Sequence, residues 1–318
     1  MFTNPAQRSS LVGTIHKLIE EHGKQGALSF DEDRKIIEIA ADYMAYEDTG
    51  IGFLYSGFAH VGLPHKRLAD DLVWQIETDR AVMIVEPGRR AVRGTNPVSV
   101  GVPYGSKARL IMLYLQTEAI KTQNREIELG KSLRDWLKRM GIPQGGKSIK
   151  DVKEQAERIF RCRISFHFQS GNSSGLINQN IVDAAIFTDD HKDNGKQQFL
   201  ERAKLSELFY DQLQKHPIPI EEAAIRALNG HSQALDIYCW LAYRLHALKG
   251  PTAITWSALK AQFGAGVVRL DHFRPKFIDN LKIALAVYPA AKTEVTKTGV
   301  ILHPSRAPIA PKIHGIPR

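Results

Sequence analysis

Apolar positions along the chain recur at two periods, and the order in which those periods alternate carries the strongest signal. Trp74 to Glu86 alternates with a period of two and predicts a hairpin, two strands joined near Asp79-Arg80 and stopped by Pro87-Gly88. Leu110, Leu113, Tyr114 and Ile120 then fall at helical spacing, which predicts a helix over 107–121 capped by Ser106. A short strand over 125–129 and a second helix over 131–140, with Leu133, Trp136, Leu137 and Met140 inward, come next. Glycines and a proline make 141–146 a turn, because they cannot continue a helix. A third helix over 148–160 leads into a strand over 161–169, a turn cluster over 170–175 and a second strand over 177–187. Helix, strand, helix, turn, helix, hairpin is the order of a winged helix-turn-helix.

The same order then repeats. Residues 205–213 lead in, 219–228 read as a helix with proline early in it, and 232–248 form a strongly apolar helix ended by Gly250-Pro251. Thr255 caps a short helix over 256–263, Gly264-Ala265-Gly266 turns the chain, and a long helix ends near Val287. Pro275 belongs in a first turn, so that helix should start close to Asp271. Strands over 292–295 and 299–303 close the pattern. The fold class expected is α+β: two tandem winged-helix domains, 51–190 and 199–305, with a partly mobile N-terminal lead-in over 1–50 and a tail over 306–318. The polar run 188–198 serves as linker, and within the lead-in Ile36, Ile37, Ile39, Ala40 and Tyr43 form a weak helical stripe over 34–44.

Composition narrows the class of partner. With 43% hydrophobic and 24% charged residues in 318, the chain reads as globular with real cores. Lys+Arg 43 against Asp+Glu 34 gives +9, which favours a polyanionic partner. Cys162 and Cys239 stand far apart and read as reduced, buried thiols. The apolar runs stop short of the ~20 residues of a membrane span and the first ten residues lack a signal core, so a cytoplasmic protein is expected.

The third helix of each predicted domain concentrates the chemistry. Along 148–160, Ile149, Val152, Ala156, Ile159 and Phe160 share one face, and Lys147, Lys150, Asp151, Glu154, Arg158 and Arg161 the other. Between Lys131 and Phe168 there are ten Lys+Arg and four Asp+Glu. Such a helix packs by one side and offers cations to a major groove by the other, lysines to phosphates and an arginine such as Arg158 to bases. In the second domain Phe273, Phe277, Leu281, Ala284 and Tyr288 line one side, His272, Lys276, Asp279 and Lys282 the other, with Arg269 and Arg274 at the start. Arg274 is the base-reading candidate, and His272 either contacts DNA or caps the helix. Arg163, His167, Lys292 and Lys297 sit on wings, where they either touch the backbone or are simply solvated. The DNA-binding set is therefore Lys147, Lys150, Arg158, Arg161, Arg163, Arg269, His272, Arg274, Lys276 and Lys282.

Other motifs argue against an enzyme. Gly141-Ile-Pro-Gln-Gly-Gly-Lys147-Ser148 matches the phosphate loop G-x-x-x-x-G-K-S, but that mechanism needs a buried strand before the first glycine, and 133–140 reads as helix. Its amides over Gly145-Gly146 still suit a DNA phosphate. His60 and His65 are too far apart for a His-x-His pair, and no catalytic constellation stands out. No cofactor or metal is expected. Trp74, Trp136, Trp240 and Trp256 fall on apolar patterns and read as core anchors.

Four stretches together resemble the plasmid-encoded RepA-type replication initiators: Val100-Gly-Val-Pro-Tyr-Gly-Ser-Lys-Ala-Arg-Leu110; Gly146-Lys-Ser-Ile149 with Gln155-Ala-Glu-Arg158; Ala234-Leu-Asp-Ile-Tyr-Cys-Trp-Leu-Ala-Tyr-Arg-Leu-His246; and Leu270-Asp-His-Phe-Arg-Pro275. The resemblance spans roughly residues 55 to 305. It implies a tandem winged-helix protein that binds repeated origin sequences, called iterons, in double-stranded DNA. It further implies recruitment of a host helicase or initiator protein, and homodimers that repress their own promoter or couple origins for copy-number control. A winged-helix transcriptional repressor without origin function is the alternative, and a phosphate-loop nucleotide binder a remote one.

Overall fold

The structure is a computed structural model that describes residues 11–30, 33–47, 50–79, 81–170, 173–189 and 198–309. The ends of the expected lead-in and tail, and most of the expected linker, lie outside these residues. The chain divides into two compact units, one of Gly52–Pro217 with Ala261–Ala265, the other of Met1–Ile51, Ile218–Lys260 and Gly266–Arg318.

In the Gly52–Pro217 unit the elements run β1 (Ile51–Tyr55), α3 (Gly57–His60), β2 (Trp74–Glu77), β3 (Ala81–Glu86), β4 (Gly88–Arg90), β5 (Val98–Gly101), α4 (Gly105–Thr122), β6 (Glu126–Glu128), α5 (Gly130–Arg139), α6 (Gly146–Arg161), β7 (Arg163–Ser170), β8 (Ser173–Asn180), β9 (Val182–Asp189), β10 (Gln198–Leu205) and α7 (Glu207–Lys215). The other unit holds α1 (Leu11–Ala27), α2 (Arg34–Met44), β11 (Pro217–Glu221), α8 (Glu222–Ala227), α9 (Ser232–Arg244), β12 (Thr252–Thr255), α10 (Trp256–Phe263), α11 (Leu270–Leu285), β13 (Lys292–Val295) and β14 (Gly299–His303).

Both units are winged helices with one sheet topology. In the first, α4, β6, α5 and α6 precede the β9–β10 wing, and the strands lie in the order β6-β10-β9. In the second, α9, β12, α10 and α11 precede β13–β14, ordered β12-β14-β13. The first strand thus pairs with the last in each.

The α4 helix is buried nearly all round, from Ala108 to Thr117, as a central core helix must be. Its polar residues are consumed internally: Gln116 Oε1 accepts from Tyr55 N at 2.6 Å, Thr117 Oγ1 from Phe53 N at 2.9 Å, and Arg109 donates to the Leu63 carbonyl at 2.6 Å. Tyr55, Phe58, Phe166 and Phe209 meet edge to face beside it. Ser106 does not cap α4. The helix starts two residues earlier than expected, with Gly105 N donating to the Pro64 carbonyl and Tyr104 N to Gln155 Oε1.

The first wing is a correction. The expected hairpin over 161–187 is split at Ile181: β7 and β8 join a separate antiparallel sheet ordered β2-β3-β7-β8. The true wing pairs β9 with β10, the strands on either side of the polar run expected as linker, so β10 belongs to the first winged helix and not to the approach to the second. Alternation in β10 gives the reason. Ala203 and Leu205 are buried while Arg202 and Lys204 reach outward, and the Leu129 and Leu205 amides lock the sheet to Glu201 and Arg125 carbonyls.

The second winged helix follows its sequence closely. Thr255 Oγ1 caps α10 through the Ala258 amide, and β13 and β14 have the expected bounds. Pro217-Ile-Pro-Ile220, however, is strand rather than helix, since alternating prolines leave too few amides for a helical turn. Pro275 sits in the second turn of α11, leaving the Asp271 carbonyl without a helical donor. Trp136, Trp240 and Trp256 are buried as core anchors, Trp74 half-buried with Nε1 donating to Gly62. Both cysteines are buried, and burial pushes the Cys162 thiol up to about 12, which keeps it protonated and inert. Among the described residues no helix is long and apolar enough to cross a membrane.

Residues 11–44 do not form a separate lead-in. The α1 and α2 helices pack on each other, and α2 lies on α8 and α11, because its Ile36, Ile37, Ile39 and Ala40 stripe is too apolar to leave in water. Asp33 caps α2 through Lys35 N at 2.9 Å, and Tyr43 Oη donates to Glu221 Oε2 at 2.7 Å. Burial raises the Glu221 carboxyl above the usual carboxylate range, only partly offset by that hydrogen bond. A raised folded-state pKa means that folding favours the protonated form, so this contribution is full at low pH and lost as pH rises through the folded value. Glu221→Gln is accordingly expected to stabilise this unit at about pH 7 and to give no advantage below about pH 4, read from thermal melts across pH.

Candidate nucleic-acid interface

The α11 helix presents an open polar face. Asp271, His272, Pro275, Lys276, Asp279 and Lys282 are exposed at spacings of three and four, while Phe273, Phe277 and Leu281 pack inward against α9 and α10. Lys276, Lys282 and His272 engage in no ion pair among the described residues. Arg269 is exposed just before the helix, and Lys292 and Lys297 are exposed on the β13–β14 wing. Arg274 corrects the sequence reading: it is half-buried with its guanidinium over the Trp256 ring, 5.7 Å from the centroid. Two residues on from His272, it lies about 200° round the helix, on the side facing α10.

The corresponding face of α6 is open only at its start. Lys147 and Lys150 are exposed and carry no ion pair among the described residues. Beyond them every carboxylate is matched: Asp151 by Lys107 at 2.6 Å, Glu154 by Arg158 at 2.9 Å, Glu157 by Arg161 at 3.1 Å and Arg90 at 3.2 Å. Arg158, expected to face bases, does not lie on an open face here. Its side chain is 3% exposed, bridges Glu154 and Asp70, donates to the Val102 carbonyl at 3.2 Å and lies over the Tyr104 ring. Burial would raise the Asp70 carboxyl, but hydrogen bonds and charge from Arg158, then Arg67, outweigh it and hold the group below its ordinary value. Arg161 is half-buried and pinned to the Arg89 carbonyl at 3.2 Å, whereas Arg163 is exposed at the start of β7. His167 is half-buried on the same strand.

What covers the far end of α6 is the β4–β5 hairpin, whose contribution the sequence had hidden. Two glycines let it dock: a Cβ on Gly88 would lie 2.1 Å from the Arg161 carbonyl, and one on Gly101, at φ 77°, would meet the Arg158 guanidinium. From Arg89 to Val98 every residue is exposed, and the arm carries Arg89, Arg90 and Arg93 with no acid. The one available signal was the acid-free run from Arg89 to Lys107, which periodicity alone reads as a basic loop.

The Gly141–Ser148 stretch joins α5 to α6, so its phosphate-loop pattern follows a helix and not a strand. Among the described residues no group of His, Cys, Asp or Glu is arranged to hold a metal ion.

Two tandem winged helices, each with its first strand paired to its last, define the class. The same architecture occurs in the crystal structure of domains 2 and 3 of RctB, from the selenomethionine derivative, at TM-score 0.51 and 12% identity over 80% of this chain and all of that one. A second structure of RctB domains 2–3 covers 78% of this chain and 94% of its own, with TM-score 0.48 and 11% identity. No curated protein sequence matches the chain. Sequence supplies a second likeness: the family model described as plasmid-encoded RepA protein matches residues 102–258, from the approach to α4 into α10.

Proposed function

We propose that the protein starts plasmid replication by binding repeated origin DNA sequence-specifically, without catalysing a reaction itself. The observation that carries this reading is the open face of α11, with Lys276, Lys282 and His272 unpaired beside an exposed Lys292–Lys297 wing. That is the disposition a helix needs to enter a major groove while its wing meets the backbone. The β4–β5 arm with Arg89, Arg90 and Arg93, together with Lys147 and Lys150, adds phosphate contacts from the other unit. A cytoplasmic setting, recruitment of a host helicase or initiator, dimerisation and repression of the protein's own promoter accompany this reading through the likeness to the RepA family.

With about 6–10 phosphate contacts, affinity for duplex DNA is expected to fall ~10³–10⁵-fold between 50 and 200 mM salt, measured by fluorescence anisotropy. Lys276→Ala and Lys282→Ala should weaken all duplexes about equally, each lowering the salt slope by about one. A salt-independent affinity, or none, would sink the reading. Footprinting on the DNA flanking the gene separates an initiator, which protects direct repeats, from a simple repressor, which protects one palindrome.

A further inference from the structure

The mouth of α11 carries two features that phosphate binding does not use. Arg269 and Asp271 are both largely exposed, at 67% and 58%, yet they are locked together side-on: Nε donates to Oδ1 at 3.0 Å and Nη2 to Oδ2 at 2.5 Å. Immediately before them Val268 is 90% exposed, more than any other large hydrophobic side chain described.

An aspartate at the DNA-facing start of a helix repels phosphates unless something neutralises it. Here Arg269 does so, and the cost to the arginine is only one edge of its guanidinium. The Nη1–Nη2 end stays open, and it is the fork that matches the N7 and O6 acceptors of guanine in the major groove. Because Asp271 already fixes the guanidinium, little rotamer freedom remains to be lost on binding. Val268 is flanked by Val267 and Leu270, but both are half-buried, so the exposed large apolar side chain at this turn is Val268 itself, between the charged Arg269 and Asp271 on one side and Gly266 on the other. In the major groove the one apolar feature on a base edge is the thymine methyl. Consecutive Cα atoms are about 3.8 Å apart and stacked bases about 3.4 Å, so neighbouring residues address the same or adjacent base pairs.

We propose that the α11 entrance reads a guanine with the Asp271-braced Arg269 and an adjoining thymine with Val268, so that each origin repeat contains this G/T element. The proposal rests on the DNA-binding reading above and goes beyond it in naming the bases.

The test is selection of bound sequences from a randomised duplex pool by the full chain, followed by anisotropy on the selected duplex. The wild type should enrich a guanine beside a thymine; Arg269→Lys should lose the guanine and keep the thymine; Val268→Ser should do the reverse. Replacing that thymine by deoxyuracil should weaken the wild type several-fold, and Val268→Ser not at all. Asp271→Ala should cut guanine discrimination about tenfold while unselected duplex binds equally or more tightly, a divergence that mere loss of structure cannot give. All three side chains are exposed, so the variants should fold, which thermal melts check. If the enriched motif is unchanged in Arg269→Lys and Val268→Ser, or deoxyuracil has no effect, this inference is wrong while DNA binding stands. If the wild type enriches nothing and binds no duplex, the function proposed above falls with it.

Discussion

Replacing Arg158 by methionine is expected to lower the melting temperature of the Gly52–Pro217 unit by on the order of 6–12 °C, the equivalent of about 3 kcal/mol. Methionine fills similar volume, so the loss isolates the charge and its hydrogen bonds. Without the guanidinium the Val102 carbonyl loses its donor at 3.2 Å, and Asp70 and Glu154 lose the shared cation that lay 2.9 Å from each. Arg158→Lys should rescue little, because an ammonium cannot span two carboxylates and a carbonyl in one plane. The pH profile adds an independent check. The Asp70 carboxyl is held low in the folded state, so its contribution is present above the ordinary carboxylate pKa and lost as pH falls through the folded value. The gap between wild type and Arg158→Met should therefore narrow in acid. A variant that melts like the wild type yet loses choice among DNA sequences would show instead that Arg158 reaches bases.

Arg158 also shows where sequence reasoning stops. Spacing along α6 correctly puts Lys147, Lys150, Glu154, Arg158 and Arg161 on one face, but cannot say what lies over that face. Its far end is occupied by Asp70, 88 residues upstream, and by a hairpin docked through Gly88 and Gly101. The start of the helix is uncovered, and there the sequence reading of two outward lysines agrees with the structure. The second winged helix was legible because its contacts are local: Thr255 caps α10 three residues on, and β13 meets β14 across Thr296–Thr298. The first wing was not, since β7–β8 interrupts the pattern and β10 returns to β6 from more than 70 residues downstream. Arg274 failed for a simpler reason. It begins a basic-looking helix, but the helical period turns it toward Trp256.

The second large effect concerns α2, the stripe whose helical period is legible at 34–44 but whose partners are far away in sequence. Ile37 is fully buried there, on the side that α8 and α11 cover. Ile37→Ala removes about three methyl-sized groups from a site with packed neighbours on several elements, and is expected to cost about 2–5 kcal/mol. Lys17→Ala, on the exposed side of α1, should change stability by no more than about 0.5 kcal/mol. The effect should reach DNA binding indirectly, because α2 packs on α11 and His16 Nε2 donates to the Ala286 carbonyl at its end at 2.9 Å. Measured well below its melting point, Ile37→Ala should bind duplex DNA normally; near that point, binding and folding should be lost together. Melting curves followed in parallel by circular dichroism and anisotropy decide it. A truncation removing residues 1–44 that leaves both curves unmoved would mean that the α1–α2 pair lends α11 no support.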